Sequence, residues 1–392
     1  MGHVERRVWS GKASYRARYR DPAGRERSKS FKRKADAERW LAEVEHAKAR
    51  GIWTDPTLGR IRFDDWLASW WSTTTNLRPT TRARDELVLR LYALPRFGNV
   101  PLAAITQLDV RTWVAELSAR GLTPATVTKT YQVFGKVMGA AVDAGYLAQT
   151  PCRNVPLPKV EREEMRFLTP AEIIALADAI RPRYRTLVLV GAYGGLRIGE
   201  LAGLRRGRVD LLRGTIAVAE IVTEVEGRLF FGLPKTRAGR RTVGLPRFVV
   251  RELEAHLADP GDPSDHVFTA PNGGPLRVTA FRARVWRPAT KAVGLDGLRI
   301  HDLRHTAVAL WIAAGASPKE VAALAGHTSV SFTLDRYGHL YPDSYATLRD
   351  RLDALHSSAQ ERDAEVIDLS STLVRPQRGG NINERYRGVS ED

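Results

Sequence analysis

The sequence predicts a multidomain, mainly helical chain. It has a small three-stranded sheet plus helix at the N-terminus, an all-α middle segment and a mixed, mainly-α α+β C-terminal domain. Three observations lead there. The chain has 392 residues, 43% of them hydrophobic, enough for two or three cores. Pro-, Gly- and charge-marked stretches at 51–62 and 150–164 interrupt the periodic pattern. Period-two alternation is confined to residues 14–31 and 215–245, and the remaining apolar spacing is helical. These breaks predict domains at 1–54, 60–150 and 163–356, with a polar tail at 357–392.

In the first domain, residues 14–20 read SYRARYR. Alternation puts Tyr15, Ala17 and Tyr19 on one face of a strand, and a bare row of Arg16, Arg18 and Arg20 on the other. Asp21-Pro22-Ala23-Gly24 is a turn before a second alternating run at 25–31. Residues 35–50 are helical in pattern, with Trp40, Leu41, Val44 and Ala47 on one side and Gly51 as a stop. The Arg row is either a phosphate and groove reader or a solvated edge.

The middle segment, 63–147, reads as all helix. Thr106 with Asp109 makes a capping-box variant, and Thr123-Pro124 is an N-cap followed by Pro at the first helical position. Trp70 and Trp71 fit a core better than a base-stacking surface. The C-terminal domain opens on a capping box, Thr169-Pro170-Ala171-Glu172, and its one β-rich stretch is 215–245.

Charge narrows the function classes. Lys plus Arg number 61 against 44 Asp plus Glu, a net +17, with a pI of about 10.3. Residues 1–54 alone hold 15 Lys or Arg against 7 Asp or Glu. A polyanionic partner, nucleic acid first, or a merely basic surface explains this. Cys152 is the single cysteine, which excludes an intramolecular disulfide and a thiolate metal cluster. The apolar run at 186–196 is too short to span a bilayer, and the Arg-rich start has no apolar signal segment. The expectation is a cytoplasmic protein without cofactor or metal.

Five local signals follow in order. Gly194-Gly195-Leu196-Arg197 precedes Ile198-Gly199-Glu200-Leu201, with Arg197 near a helix start. Pro234-Lys235-Thr236 puts a lysine at a β-turn, and His301-Asp302-Leu303-Arg304-His305 sets His301 and Arg304 three apart on a helix. Ala325-Gly326-His327 ends a helix capped by Ser317, and ten residues later comes Tyr337. Each has a plain structural reading: an i,i+3 ion pair, a turn lysine, a cap, a buried histidine, a packing tyrosine. There is no Gly-x-x-x-x-Gly-Lys-Ser/Thr phosphate loop and no carboxylate cluster suited to two metals.

The ordered set resembles the tyrosine recombinase signature of Arg, β-turn Lys, His-x-x-Arg, Gly-His and Tyr, with every position filled. The resemblance covers roughly residues 166–355, with weaker likeness in the middle segment to the family's core-site-binding domain. The basic N-terminal segment is similar to the arm-site-binding domain of phage integrases. It implies a catalytic domain of the tyrosine recombinase type and a catalytic set of Arg197, Lys235, His301, Arg304, His327 and Tyr337. It implies site-specific recombination of double-stranded attachment-site DNA, at core and arm sites, through a 3′-phosphotyrosyl intermediate and a Holliday junction, without ATP. Arg197 and Arg304 would fork the non-bridging phosphate oxygens. His301 and His327 would donate further hydrogen bonds, His301 also standing as acceptor for the tyrosine proton, and Lys235 would protonate the leaving 5′-oxygen. The implied assembly is a homotetramer on nucleoid DNA, with a host DNA-bending factor and an excisionase as accessory partners and no membrane. Within the resemblance, a Xer-like dimer-resolving recombinase and a type IB topoisomerase share the chemistry, and the N-terminal domain argues against both. A DNA-binding regulator without catalysis is the reading from another class.

Overall fold

The structure is a computed structural model that describes residues 2–9, 12–50, 53, 55, 57–161, 165–234, 236–341, 349–350 and 352–358. The chain divides into two compact units, Met1–Met165 with Val222–Phe231, and Arg166–Ile221 with the chain from Gly232 onward.

The first unit begins with an antiparallel meander, β1 (His3–Trp9), β2 (Lys12–Arg20) and β3 (Glu26–Phe31) in the order β1-β2-β3. Arg18 stands opposite His3 on one side and Ser28 on the other. Helix α1 (Lys34–Ala49) covers the face that carries Ala17 and Tyr19, both buried. Trp40 meets Tyr19 edge-on at 5.6 Å and Phe31 at 5.6 Å. The stretch expected to be a linker is partly tied down. Trp53 donates to Tyr19 Oη at 3.3 Å, and Asp55 accepts from Arg27 and from Thr57 N at 2.9 Å. Asp21 and Asp55 are buried carboxylates, and Arg27 serves both. Burying such acids without that partner would cost several kcal/mol, roughly, so the linker's start packs where its charge is satisfied.

A helical module follows. Helix α2 (Phe63–Thr73) leads to α3 (Pro79–Val88), which widens through Leu89–Ala93 into α4 (Leu94–Phe97), then α5 (Gln107–Ala119) and α6 (Pro124–Asp143). Phe134 gathers the core, with Phe97, Trp113 and Phe63 rings at 4.9, 5.0 and 5.3 Å. The indoles of Trp66 and Trp113 donate to the Val137 and Tyr92 carbonyls, so these large apolar groups leave no polar atom stranded. Trp70 is buried and Trp71 packs on the same core, as the sequence predicts. The Thr106–Asp109 capping box and the Thr123 cap both form.

The second unit opens with α7 (Pro170–Ala179), started by the Thr169–Glu172 capping box, then α8 (Arg185–Gly194) and α9 (Ile198–Ala202). Short strands β4 (Val209–Asp210), β5 (Thr215–Val218) and β8 (Arg241–Gly244) follow in this unit, and between β5 and β8 the chain runs through β6 (Ile221–Val225) and β7 (Arg228–Gly232), whose residues 222–231 belong to the first unit. They form an antiparallel β4-β5-β8 sheet and a β6-β7 hairpin. Then come α10 (Arg247–His256), α11 (Val278–Phe281), α12 (Arg287–Ala292), α13 (Asp302–Ala313), α14 (Pro318–Ala325) and α15 (Val330–Tyr337). The apolar run at 186–196 is the central helix, with Thr186 through Ala192 and Gly194 buried in α8. It packs on α13, and the approach is close because glycines face it. Gly195 takes a left-handed conformation (φ 64°), and a Cβ there would lie 2.5 Å from the Trp311 ring. No helix among the described residues is long and apolar enough to cross a membrane.

Candidate active site

The site lies within the second unit and is built from the ends of α8, α13, α14 and α15. Arg197 is the N-cap of α9, and its backbone N–H donates to Glu200 at 2.9 Å. Its guanidinium, partly exposed, bonds the same carboxylate at 2.9 Å. Glu200 is buried and is shared with Arg241 of β8, at 3.0 and 3.2 Å. Burial pushes the Glu200 carboxyl up, but the bonds and charge of Arg241, then of Arg197, outweigh it and hold it below the usual carboxylate range. Arg241 also donates to the Leu324 carbonyl at 2.6 Å and the Gly239 carbonyl at 3.2 Å. One buried guanidinium therefore ties the Arg197 turn to the β-turn segment and to the end of α14.

Arg304, in the first turn of α13, is buried. It donates to the Gly195 carbonyl at 2.7 Å and to the Ala325 carbonyl. Burial, then Arg197 and Arg241, push its pKa down to about 9, so it stays cationic at neutral pH. These carbonyl bonds fix its direction without neutralising it. Gly326 ends α14 in a left-handed turn (φ 64°), where a Cβ would lie 2.7 Å from the Ala238 carbonyl. The turn presents His327, whose Nδ1 bonds Thr333 Oγ1 at 2.8 Å and whose ring lies 6.2 Å from that of Tyr337 at 8°. Burial, then Arg304 and Arg197, push its pKa down to about 4.

Tyr337, the last residue of α15, is 1% exposed. Its Oη is 2.6 Å from Nδ1 of His305, itself buried. Burial raises the phenol's pKa, while Arg304 and Arg336 pull it back. His301 is the N-cap of α13 and is exposed, its ring edge-on to that of His305 at 4.8 Å. Although the side chain reaches the surface, partial burial of the ring, then Arg304 and Arg197, push its pKa down to about 4.

Arg197, His301, Arg304, His327 and Tyr337 thus come together, and Lys235 lies outside the described residues. Three further residues that the site uses are missed by sequence reasoning. His305 stands in the quoted HDLRH, four residues after His301, and that i,i+4 spacing is the available signal. Arg241 carries no motif. Glu200, by its spacing a surface ion-pair partner, is buried between two arginines.

Arg16, Arg18 and Arg20 lie in the first unit, on the sheet face away from α1. The face is not bare. Arg18 is held between Glu5 at 3.2 Å and Glu26 at 2.7 Å, Arg16 donates to Ser28 at 2.9 Å, and Arg20 to the Gly24 carbonyl at 3.1 Å. The neighbouring strands and the β2–β3 turn supply these partners, and alternation within one strand could not reveal them.

Two family models match the chain: the phage integrase family over residues 166–343 and the phage integrase N-terminal SAM-like domain over 62–118. A prophage phiRv2 integrase of Mycobacterium tuberculosis is 29% identical over 374 residues, 93% of this chain and 94% of that protein. The integrase of Mycobacterium phage L5 is 29% identical over 315 residues, 76% of this chain and 83% of its own. Among solved structures, the Tn1549 transposon integrase in complex with transposon right-end DNA covers 75% of this chain at TM-score 0.64 and 20% identity, and 100% of its own. A lambda integrase tetramer bound to a Holliday junction covers 84% of this chain and 93% of its own at TM-score 0.53 and 16% identity. The fold of the second unit is that of a tyrosine recombinase catalytic domain. Residues 166–343 belong to the phage integrase family.

Proposed function

We propose that this chain is the integrase of a phage or other mobile element, and that Tyr337 attacks attachment-site DNA to form a 3′-phosphotyrosyl ester. The observation that carries the reading is the Tyr337 hydroxyl, hydrogen-bonded to a histidine and within reach of the Arg304 charge. A free phenol ionises only near pH 10, roughly, so attack needs proton removal and a positive pocket. Arg197 and Arg304 bind the non-bridging oxygens of the scissile phosphate, where charge gathers as the tyrosine attacks. Removing one such preorganised donor costs about 3–4 kcal/mol of barrier. His301 and His327 complete the anion site. Lys235 protonates the departing 5′-oxygen. The ester conserves the energy of the diester, so a 5′-hydroxyl of a second duplex reverses the step without a nucleotide cofactor.

Residues 1–54 read arm-type sequences through Arg16, Arg18 and Arg20, which exchange their protein partners for phosphates. Residues 60–150 hold the core site and 163–356 cut it. The working form is a homotetramer on two duplexes in the cytoplasm, at the nucleoid. A host DNA-bending factor and an excisionase set its direction.

The test is a nicked suicide substrate carrying the attachment core. Wild type is expected to give a covalent protein–DNA band on a denaturing gel, and Tyr337→Phe is expected to bind the same DNA and give none. A band from the Phe variant removes Tyr337 from the role. The wild-type band is expected to persist in excess EDTA, since cationic side chains do the charge work; loss restored by Mg²⁺ contradicts that.

A further inference from the structure

Resting on Tyr337 as nucleophile, we propose that His305 is the base that takes the phenolic proton, the role for which residue order nominates His301. The geometry separates the two histidines. His305 sits one turn into α13, buried, with Nδ1 2.6 Å from Tyr337 Oη, a short bond for a nitrogen acceptor. His301 caps the same helix and is exposed, edge-on to His305 at 4.8 Å. Among the described residues, His305 is the histidine that hydrogen-bonds Tyr337. The exposed ring is free to meet the incoming phosphate, and the buried ring is already hydrogen-bonded to the hydroxyl whose proton must leave.

The protonation states agree. Burial, then His301, push the His305 pKa down to about 4, so the ring is neutral and one nitrogen keeps a lone pair. Burial raises the phenol, which keeps its proton and donates it to Nδ1. His305 is then the tautomer with hydrogen on Nε2. A bound phosphodiester brings negative charge into a pocket that otherwise holds Arg304 and Arg197, and this favours the imidazolium. The step balances. The phenolic O–H breaks as Nδ1–H forms. The tyrosine oxygen bonds phosphorus, the bond from phosphorus to the 5′-oxygen breaks, and that oxygen takes its proton from a separate acid. On rejoining, the imidazolium returns the proton to the departing phenolate.

The alternative is that His305 only steadies the ring. Asn at 305 sets an amide group near the Nδ1 position, so it can hold the hydroxyl but cannot accept its proton. Replacing Tyr337 by 3,5-difluorotyrosine makes the phenol more acidic and reduces the need for a base. Single-turnover adduct formation on the nicked core substrate is measured for the full chain, with DNA affinity and melting temperature alongside. His305→Asn is expected to keep both and to cleave about 10²–10⁴-fold more slowly, the usual worth of general base catalysis. With difluorotyrosine at 337 the gap is expected to close to a small fraction of that. A His305→Asn rate close to wild type, or a defect equal with both tyrosines, overturns the assignment. His301→Asn supplies a second reading should the first variant fold poorly: its defect is expected to be the same with either tyrosine, and rescue by the fluorinated one transfers the base role to His301. The wild-type lane separates the two claims. No adduct from wild type overturns strand cleavage itself, and the base assignment with it.

Discussion

At the residue scale, the decisive feature is how few partners hold so much charge. Glu200 is one carboxylate, 1% exposed at its side chain, between Arg197 and Arg241. Glu200→Gln leaves the Arg241 guanidinium, 6% exposed, without its counter-charge. Breaking one side of a buried pair typically costs 3–5 kcal/mol, roughly, and denaturant melts of the two proteins would show it. The folded-state pKa of Glu200 lies below its usual value, so its contribution is complete above the unfolded pKa of about 4.3 and fades as pH falls through the folded value. The gap between wild type and Glu200→Gln is therefore expected to shrink below pH 4, roughly; a gap that widens in acid contradicts the network. Lys235 is tested by a different chemistry. An alkoxide leaves poorly and a thiolate leaves readily, so Lys235→Ala is expected to lose about 10²–10⁴-fold on an ordinary substrate and to recover on one with a bridging 5′-sulfur. Arg197→Ala, whose partner is the non-bridging charge, is expected to show no such recovery. Equal Lys235→Ala defects on oxygen and sulfur exclude the acid role.

Elements explain why these residues meet. Helix α13 supplies His301, Arg304 and His305 from one turn, because positions three and four apart share a helix face. Its neighbour α8 ends at Gly195, whose carbonyl receives Arg304 and whose missing Cβ admits Trp311. Gly195→Ala places a methyl 2.5 Å from that ring at a φ of 64°, which both strains the backbone and forces the helices apart. The variant is expected to melt earlier, its stability lower by about 1–3 kcal/mol, and to cleave more slowly through a displaced Arg304. A normal cleavage rate in a destabilised variant would detach the α8–α13 packing from the chemistry. Period and caps made most of these elements legible: the boxes at Thr106, Thr169 and Ser317 all form where the sequence marks them. Arg241 escaped because a four-residue strand carries no pattern that says which neighbour its side chain will find.

On the scale of the whole molecule, charge and packing divide the work. The N-terminal sheet holds its arginines in place through Glu5, Glu26 and Ser28, and ties down the start of the following segment through Trp53 and Asp55. Deleting residues 1–54 is expected to spare core-site cleavage while removing binding to distal arm sequences. The salt dependence of binding should flatten by about 0.9 in log–log slope for each phosphate that the shortened protein no longer neutralises. A footprint unchanged beyond the core site excludes the arm-binding role.

By itself the sequence determined the mainly helical fold class, the capped helix starts and the resemblance to the family, while the structure divides the chain into two compact units where the sequence breaks suggest three domains. Apolar period, cap chemistry and short words such as HDLRH are local, and local physics holds wherever the chain folds. Tertiary structure decided the rest. It buried Tyr337 against His305 and left His301 exposed, and it turned Glu200 from a helix-surface partner into a buried bridge to Arg241. It also gave the arginines of β2 partners from β1 and β3. Each depends on which distant segment fills the space beside a side chain, and a one-dimensional spacing holds no information about that neighbour.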